Sequence, residues 1–388
     1  MKNPENISPG IYLHIPFCLK KCAYCDFYSL TDLTLQQPFV DALLREMELI
    51  NPPDVLSDTL YFGGGTPSVL TADQISALMQ KAQSHFTLAP DTEITMEVNP
   101  GTVTQNRLRF LKQIGINRLN IGVQSFSDDI LKFLGRIHTP EKVIQTIEQA
   151  RKVGFDNIGL DLMFGIPGQD TTSWQDELKT ALSWSPEHFS CYILSFEEAT
   201  PLGRQRKAKA FKVLSEQRVA DLFRVTQQVL NDAGYEQYEI SNYAKINRNG
   251  QTWRSRHNQK YWSFAPYTGL GPSAHSYAPP KRYWNVRDVG QYMHALTQGK
   301  LPIQEEEDTT TEQQITEAIF LGLRTSDGID MTYFEKKFQM SFNQKYGNIL
   351  QALCEEKLVN IKNDHCVLTP EGMLFHDSIV ERLINFLS

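Results

Sequence analysis

A chain of 388 residues, 41% hydrophobic and 21% charged, has room for about two domains of 150–200 residues and the composition of an ordinary globular protein. Wholesale disorder, collagen-like repeats and a small disulfide-stapled scaffold are excluded. Thirty-eight basic against 45 acidic residues leave a formal charge of −7 with no run of four or more Lys/Arg, so no nucleic-acid partner is expected. Apolar stretches fall short of the roughly 18–20 residues that cross a bilayer, and the first ten residues lack a signal peptide's apolar core. The expected compartment is the cytoplasm, with any membrane association made through partners.

In chain order, six short apolar or β-branched runs, 11–15, 59–62, 93–98, 118–123, 157–163 and 189–194, predict strands. Helical periodicity lies between them near 36–50, 72–84, 104–114, 140–153 and 172–183, and a further helix over 214–233 is closed by Gly234. Repeated βα units call for a parallel sheet with helices outside. No Rossmann-type glycine pattern follows the first strand, so the expected α/β fold is a partial (β/α)6 TIM-type barrel. Residues 238–285 are rich in Tyr, Trp, Asn, Gly and Pro with little helical periodicity, and the acidic stretch 305–308 reads as a solvated linker. Helices near 310–323 and 331–338 then begin a smaller, mainly helical, winged-helix-like C-terminal domain. The expected division is 1–240 for the barrel, 241–300 for an aromatic-rich extension and 301–388 for the C-terminal domain.

Three of six cysteines, Cys18, Cys22 and Cys25, fall within eight residues. In a reducing compartment clustered thiols read as metal ligands or redox groups, whereas Cys191, Cys354 and Cys366 read as buried thiols. Three thiolates on one loop can hold three irons of a cubane cluster, leaving the fourth iron open to a chelating molecule. A zinc site completed by His14 or a distant residue is the alternative, and no second Cys/His pair supports it. Polar or glycine-rich residues also follow each later strand: Gly63–Thr66, Glu97 with Asn99, Gln124 with Ser125, Asp161 with Gly165, and Ser195. Strand carboxyl ends form the active face of such a barrel. Glycines there let a ligand approach the backbone, whose N–H groups can cradle a carboxylate. Glu97 and Asp161 suit ribose hydroxyls or an ammonium, and Arg136 suits a carboxylate.

C-x3-C-x2-C after the first strand, with Gly63-Gly64-Gly65-Thr66-Pro67 after the second, resembles the radical S-adenosylmethionine superfamily. The resemblance implies a [4Fe–4S] cluster on Cys18, Cys22 and Cys25 whose open iron binds S-adenosylmethionine, cleaved on reduction to a deoxyadenosyl radical. Tyr12-Leu-His-Ile-Pro-Phe-Cys18, Glu97-Val-Asn-Pro100, Asn120-Ile-Gly-Val-Gln-Ser-Phe126, Leu134-Gly-Arg136 and Leu160-Asp-Leu-Met-Phe-Gly-Ile-Pro167 are similar, in order, to the coproporphyrinogen III dehydrogenase group over residues 11 to about 290. By that likeness Tyr12, Gly64, Glu97 and His275 line a first S-adenosylmethionine, and Tyr24, Gly65, Thr66, Gln124, Arg136, Asp161 and Ser195 match positions contacting a second.

Two departures shift the likeness. The dehydrogenases resemble C-x3-C-x2-C-x-C, where this chain has Phe27, and they carry a longer N-terminal arm, where eleven residues precede Tyr12 here. Both departures, and the segment His257-Asn-Gln-Lys-Tyr261-Trp262, are similar to the HemW-type haem chaperones. That resemblance implies haem as ligand, haem-acceptor enzymes at the membrane as partners, and an electron donor where radical chemistry occurs. His257, Tyr261 and Trp262 either contact haem, by axial ligation and stacking, or pack the barrel against the C-terminal domain. His14 reads as a satisfied core histidine. No individual catalytic residue is assigned. The enzymatic alternative is oxygen-independent oxidative decarboxylation of coproporphyrinogen III.

Overall fold

The expected strands become β1 (Gly10–Ile15), β2 (Ser57–Gly64), β3 (Leu88–Val98), β4 (Arg118–Gln124), β5 (Ile158–Phe164) and β6 (His188–Ile193). The computed structural model describes residues 8–51, 55–247, 250 and 252–385; the first seven residues, part of the short segment before Tyr12, lie outside the described residues. The six strands pair in parallel in chain order, and the first five are followed by helices: α1 (Gln36–Leu49), α2 (Ala72–His85), α3 (Gln105–Gln113), then both the short α4 (Asp128–Phe133) and α5 (Pro140–Lys152) after β4, and α6 (Thr171–Ser183). Leu13, Phe62, Met96, Ile121 and Leu160, one from each of the first five strands, are wholly buried. At about 1.5–3 kcal/mol for each such side chain, burial of this kind along every strand supports the barrel wall. Local chemistry agrees with it: Thr71 and Asp170 start α2 and α6 with reciprocal capping boxes.

The barrel is partial. After α7 (Pro201–Lys207) and α8 (Glu216–Asp232), β7 (Tyr235–Gln237) and β8 (Asn242–Lys245) close one flank, β8 antiparallel to β6. The aromatic-rich segment supplies α9 (Arg256–Trp262), β9 (Tyr267–Leu270), β10 (His275–Ala278) and β11 (Lys281–Asn285), followed by α10 (Val289–Thr297) and β12 (Ile303–Asp308). β9 joins β1 in parallel, and β10 to β12 continue antiparallel, giving an open twelve-stranded sheet with β12 and β7 at its ends.

Here the sequence expectation needs correction. The acidic stretch is not a linker but the edge strand β12, whose Glu306 and Glu307 face Lys281 at 3.1 Å and Arg282 at 3.4 Å on β11. Cross-strand charge pairs and an acidic, exposed edge explain how so polar a run holds a strand position without inviting another chain to pair.

The remaining residues form α11 (Thr311–Arg324), β13 (Ile329–Asp330), α12 (Met331–Phe338), α13 (Phe342–Glu355), β14 (Val359–Lys362), β15 (His365–Leu368), α14 (Pro370–Leu374) and α15 (His376–Ile384). Their small antiparallel sheet has the order β13-β15-β14. An ion pair between half-buried Arg324 Nη2 and wholly buried Glu239 Oε2, at 2.7 Å, joins this helical region to the barrel flank. Among the described residues no helix is long and apolar enough to cross a membrane.

Candidate cofactor site at the barrel mouth

The cysteine loop runs from the end of β1 toward α1 and is pinned at several points. Cys18 N–H donates to Leu30 O (2.9 Å), Ala23 N–H to Leu134 O (3.0 Å) and Leu202 N–H to Ala23 O (2.9 Å). All three clustered thiols line one cavity of about 780 Å³ at the carboxyl ends of the strands. Thr66 Oγ1 donates to Cys18 Sγ and Arg136 Nη1 to Cys22 Sγ, each at 3.4 Å. Burial pushes the Cys18 and Cys25 thiols up, and the Thr66 hydroxyl partly opposes it at Cys18. Among the described residues no three His, Cys, Asp or Glu side chains close on a point that would hold a single ion. A cluster asks for something else, one thiolate for each of three irons.

The glycine run is built for close approach. Gly65 N–H donates to Ile15 O at 2.8 Å, and a Cβ at Gly65 would stand 2.7 Å from the Phe17 carbonyl oxygen of the cysteine loop. Gly64 has φ +107° and faces the His14 ring, so a side chain there meets both strain and a clash. Gly65→Ala is therefore expected to destabilise the protein by about 1–3 kcal/mol, the usual cost of forcing atoms into a packed site. Chemical denaturation checks this, and an unchanged midpoint would show that the cysteine loop gives way freely.

Glu97, at the end of β3, accepts from Tyr61 OH at 2.9 Å and from Gly64 N–H at 3.2 Å. Enclosure by the barrel wall, with Asp161 nearby, pushes its carboxyl up to about 8. Asp161 is likewise raised, chiefly by burial, and accepts from Asn120 Nδ2 at 2.7 Å. Its Oδ1, with Asn120 Oδ1 and Arg136 Nε, is buried without a partner. Buried polar atoms are normally paired, so this trio leaves donor and acceptor capacity unused at the cavity wall. Gln124, at the end of β4, holds φ +67°, a strained backbone of the kind found at ligand sites. Three thiols on one loop, a glycine cradle and unused polar atoms fit a cluster with a polar, partly anionic ligand beside it.

Of the residues singled out from the sequence, Tyr12, Tyr24, Gly64, Gly65 and Thr66 line this mouth, as do Glu97, Gln124, Arg136, Asp161 and Ser195. His275 does not. It sits on β10, exposed, with its ring stacked on Trp284 at 5.5 Å. His257 reaches the mouth from α9 but is 1% exposed. Its Nδ1 is hydrogen-bonded to Thr59 Oγ1 (2.8 Å) and its Nε2 to Tyr261 OH (3.0 Å), and its ring stacks on Tyr61. Burial, then the Lys260 and Arg118 charges, lower it to about 3, so it is a neutral, doubly engaged imidazole with no free lone pair in this arrangement. Trp262 lines a second cavity beside Asp58, with the Arg324 guanidinium 4.4 Å from its ring. His14 is a buried histidine bonded to Tyr12 OH and Tyr28 O, lowered by burial to about 4.

Sequence reasoning missed Arg118, 1% exposed and yet a wall residue of the mouth, together with Asn120, Ser190 and Tyr192. Polar residues inside an otherwise apolar strand were the available signal.

A parallel partial barrel whose first strand ends in a three-cysteine loop and whose second ends in a glycine cradle defines a radical S-adenosylmethionine protein. The family model of the Radical SAM superfamily matches residues 12–181, and that of the HemN C-terminal domain matches residues 309–375. Coproporphyrinogen III oxidase (HemN) from Escherichia coli shares the fold, with a TM-score of 0.82 at 24% identity, covering 97% of this chain and 90% of that one. Heme chaperone HemW of Bacillus subtilis is 35% identical over 377 residues, 95% of this chain and 97% of the relative. Heme chaperone HemW of Synechocystis is 34% identical over 399 residues, 96% and 95% of the two chains. The chain belongs to the HemW family.

Proposed function

We propose that this protein binds haem and delivers it to haem-requiring membrane enzymes, and that its mouth carries a [4Fe–4S] cluster and S-adenosylmethionine. Full-length similarity to proteins named haem chaperones carries the reading. Phe27 supports it: the position where the dehydrogenases resemble a further cysteine holds a phenylalanine that is 70% exposed on the cysteine loop. Cys18, Cys22 and Cys25 would hold the cluster, with Tyr12, Gly64 and Glu97 around a first S-adenosylmethionine. Tyr24, Gly65, Thr66, Gln124, Arg136, Asp161 and Ser195 would face a second. When bound, the cluster supplies one-electron chemistry. The protein's own part is to orient the ligand carboxylate and ammonium through backbone N–H groups, Arg136 and the two carboxylates.

Catalysis asks more of a site than binding does. A decarboxylase must hold the reacting carbon in place, and misplacement of about 1 Å can cost on the order of 100-fold in rate; a chaperone needs affinity and a route of release. The anaerobically reconstituted protein is therefore expected to bind haem, followed by its Soret band, and not to consume coproporphyrinogen III. Multiple turnovers to protoporphyrinogen would replace the chaperone reading with the dehydrogenase one. His257→Ala is expected to weaken haem binding. Tyr261→Phe removes the hydroxyl engaging Nε2 and leaves the imidazole; affinity that stays equal or rises in this variant fits ligation by His257. A parallel fall in both variants, with cluster content intact, would assign the segment to packing.

A further inference from the structure

The chain is acidic overall, yet residues 199–215 hold no carboxylate and five cations, Arg204, Arg206, Lys207, Lys209 and Lys212. All five are exposed. Only Arg206 and Lys207 are adjacent and the other three are spaced by intervening residues, so no long run betrays them. The fold sets them beside the cysteine loop. Leu202 of α7 donates its N–H to Ala23 O and packs with Leu134 and Leu194 in a small apolar cluster, on which Tyr24 and Phe211 lean. Tyr24 lies between Cys22 and Cys25. The cysteine loop adds two exposed cations, Lys20 and Lys21, at the rim of the mouth. Three carboxylates share this face: Asp26, Glu197 and Glu198. Of these, Glu198 stands 3.5 Å from Lys207, with both side chains more than three-quarters exposed, a pairing of little strength. Exposed Phe27 and Leu19 give the rim apolar contact area.

We propose that this face, formed by α7, the basic segment after it and Lys20 and Lys21, docks an acidic one-electron donor protein, a low-potential flavoprotein or ferredoxin-type protein. The inference rests on the reading that Cys18, Cys22 and Cys25 hold a redox-active cluster. One electron passes from the reduced donor to the oxidised cluster, the donor is oxidised by one electron, and no atom is transferred. Two observations favour a protein over a lipid surface. The cations are contiguous with the loop that bears the thiols, so a partner seated on them comes next to the group it would reduce. Asp26, Glu197 and Glu198 lie among them, and a protein partner can set cations against those carboxylates where a uniformly anionic bilayer repels them. Rim charges of this kind act mainly through the association rate, and salt screens them.

The test compares Arg206→Glu/Lys207→Glu/Lys209→Glu with Lys300→Glu/Lys345→Glu/Lys362→Glu, an equal change of charge at exposed positions elsewhere. The donor probe is an acidic flavodoxin. Its binding to cluster-free protein and its rate of cluster reduction are both read at low and high ionic strength. A small photoreduced deazaflavin serves as a reductant that needs no docking surface. The first variant is expected to lose about tenfold or more in flavodoxin binding and reduction rate at low salt, with the gap closing at high salt and deazaflavin reduction unchanged. The second variant should match the wild type. Equal flavodoxin binding and rates in the two variants would overturn the proposal. So would phosphatidylglycerol-vesicle binding that disappears in the first variant while flavodoxin behaviour holds, because the surface would then be a lipid one. A wild-type protein that no reductant can reduce would instead sink the cluster reading, and the binding arm on cluster-free protein still decides the surface.

Discussion

Replacing any one of Cys18, Cys22 or Cys25 with alanine is expected to abolish the brown chromophore of the anaerobically prepared protein, while Cys191→Ala leaves it. The two sets of thiols differ in surroundings more than in chemistry. The first three line the mouth, partly exposed, with Thr66 donating to Cys18 Sγ and Arg136 to Cys22 Sγ. Iron ligation needs the thiolate; these three sit where iron can reach them, and the Thr66 hydroxyl offsets part of the burial cost at Cys18. Cys191 is 3% exposed within β6, and burial with Asp161 nearby holds its thiol far above the range in which it ionises. Cys366 is wholly buried and pushed up to about 12 by the same cause. Neither reaches the mouth. Iron and sulfide analysis with absorption spectra measures the outcome, and a full four-iron cluster surviving in Cys22→Ala would remove that residue from the ligand set.

Much of the barrel was legible because strand and helix each leave a periodic trace. The run at 118–123 and the helix at 140–153 needed only apolar residues on one face, and β4 (Arg118–Gln124) and α5 (Pro140–Lys152) differ from them by a residue or so. Cofactor positions were legible for a related reason: Glu97, Gln124 and Asp161 interrupt or end apolar strands, and a parallel fold brings all strand ends to one mouth. Short elements left no comparable trace. α7 and α9 have seven residues each, under two full turns, and β12 is held by partners on β11 rather than by its own hydrophobicity. His257 shows the limit most sharply. Sequence placed it in an aromatic segment with two uses open. Only the fold reveals that Thr59, distant in sequence on β2, already occupies Nδ1 while Tyr261 occupies Nε2. Partners that far apart have no periodicity to betray them.

Glu46 was equally hidden, and it carries the second large expectation: its own contribution to stability should fall as pH rises from about 5 to about 8, so that Glu46→Gln gains on the wild type across that range. The residue sits on α1, 1% exposed. Its Oε2 accepts from Gly271 N–H (2.8 Å) and Tyr292 OH (2.6 Å), and its Oε1 from Asn285 Nδ2 (2.5 Å). One carboxyl thus ties α1 to the β9–β10 turn, the end of β11 and α10. Burial pushes it up to about 7, and the three donors only partly oppose that. An unfolded glutamate titrates near 4.3. Below that value both states are protonated and the contribution is fully present. Between the two values the native state keeps a proton that the unfolded chain has released, so each rise in pH favours unfolding, by up to about 1.4 kcal/mol per unit. Above about 7 the native carboxyl is ionised too and the loss is complete, on the order of 3 kcal/mol. Glutamine keeps the shape and stays neutral at every pH, though its NH2 must face one of the three donors; that offset does not titrate, so the difference between variant and wild type should move in the variant's favour from pH 5 to pH 8. Urea midpoints across that range measure the difference. Parallel curves for the two proteins would mean that Glu46 is ionised throughout, its three donors outweighing the cost of burial.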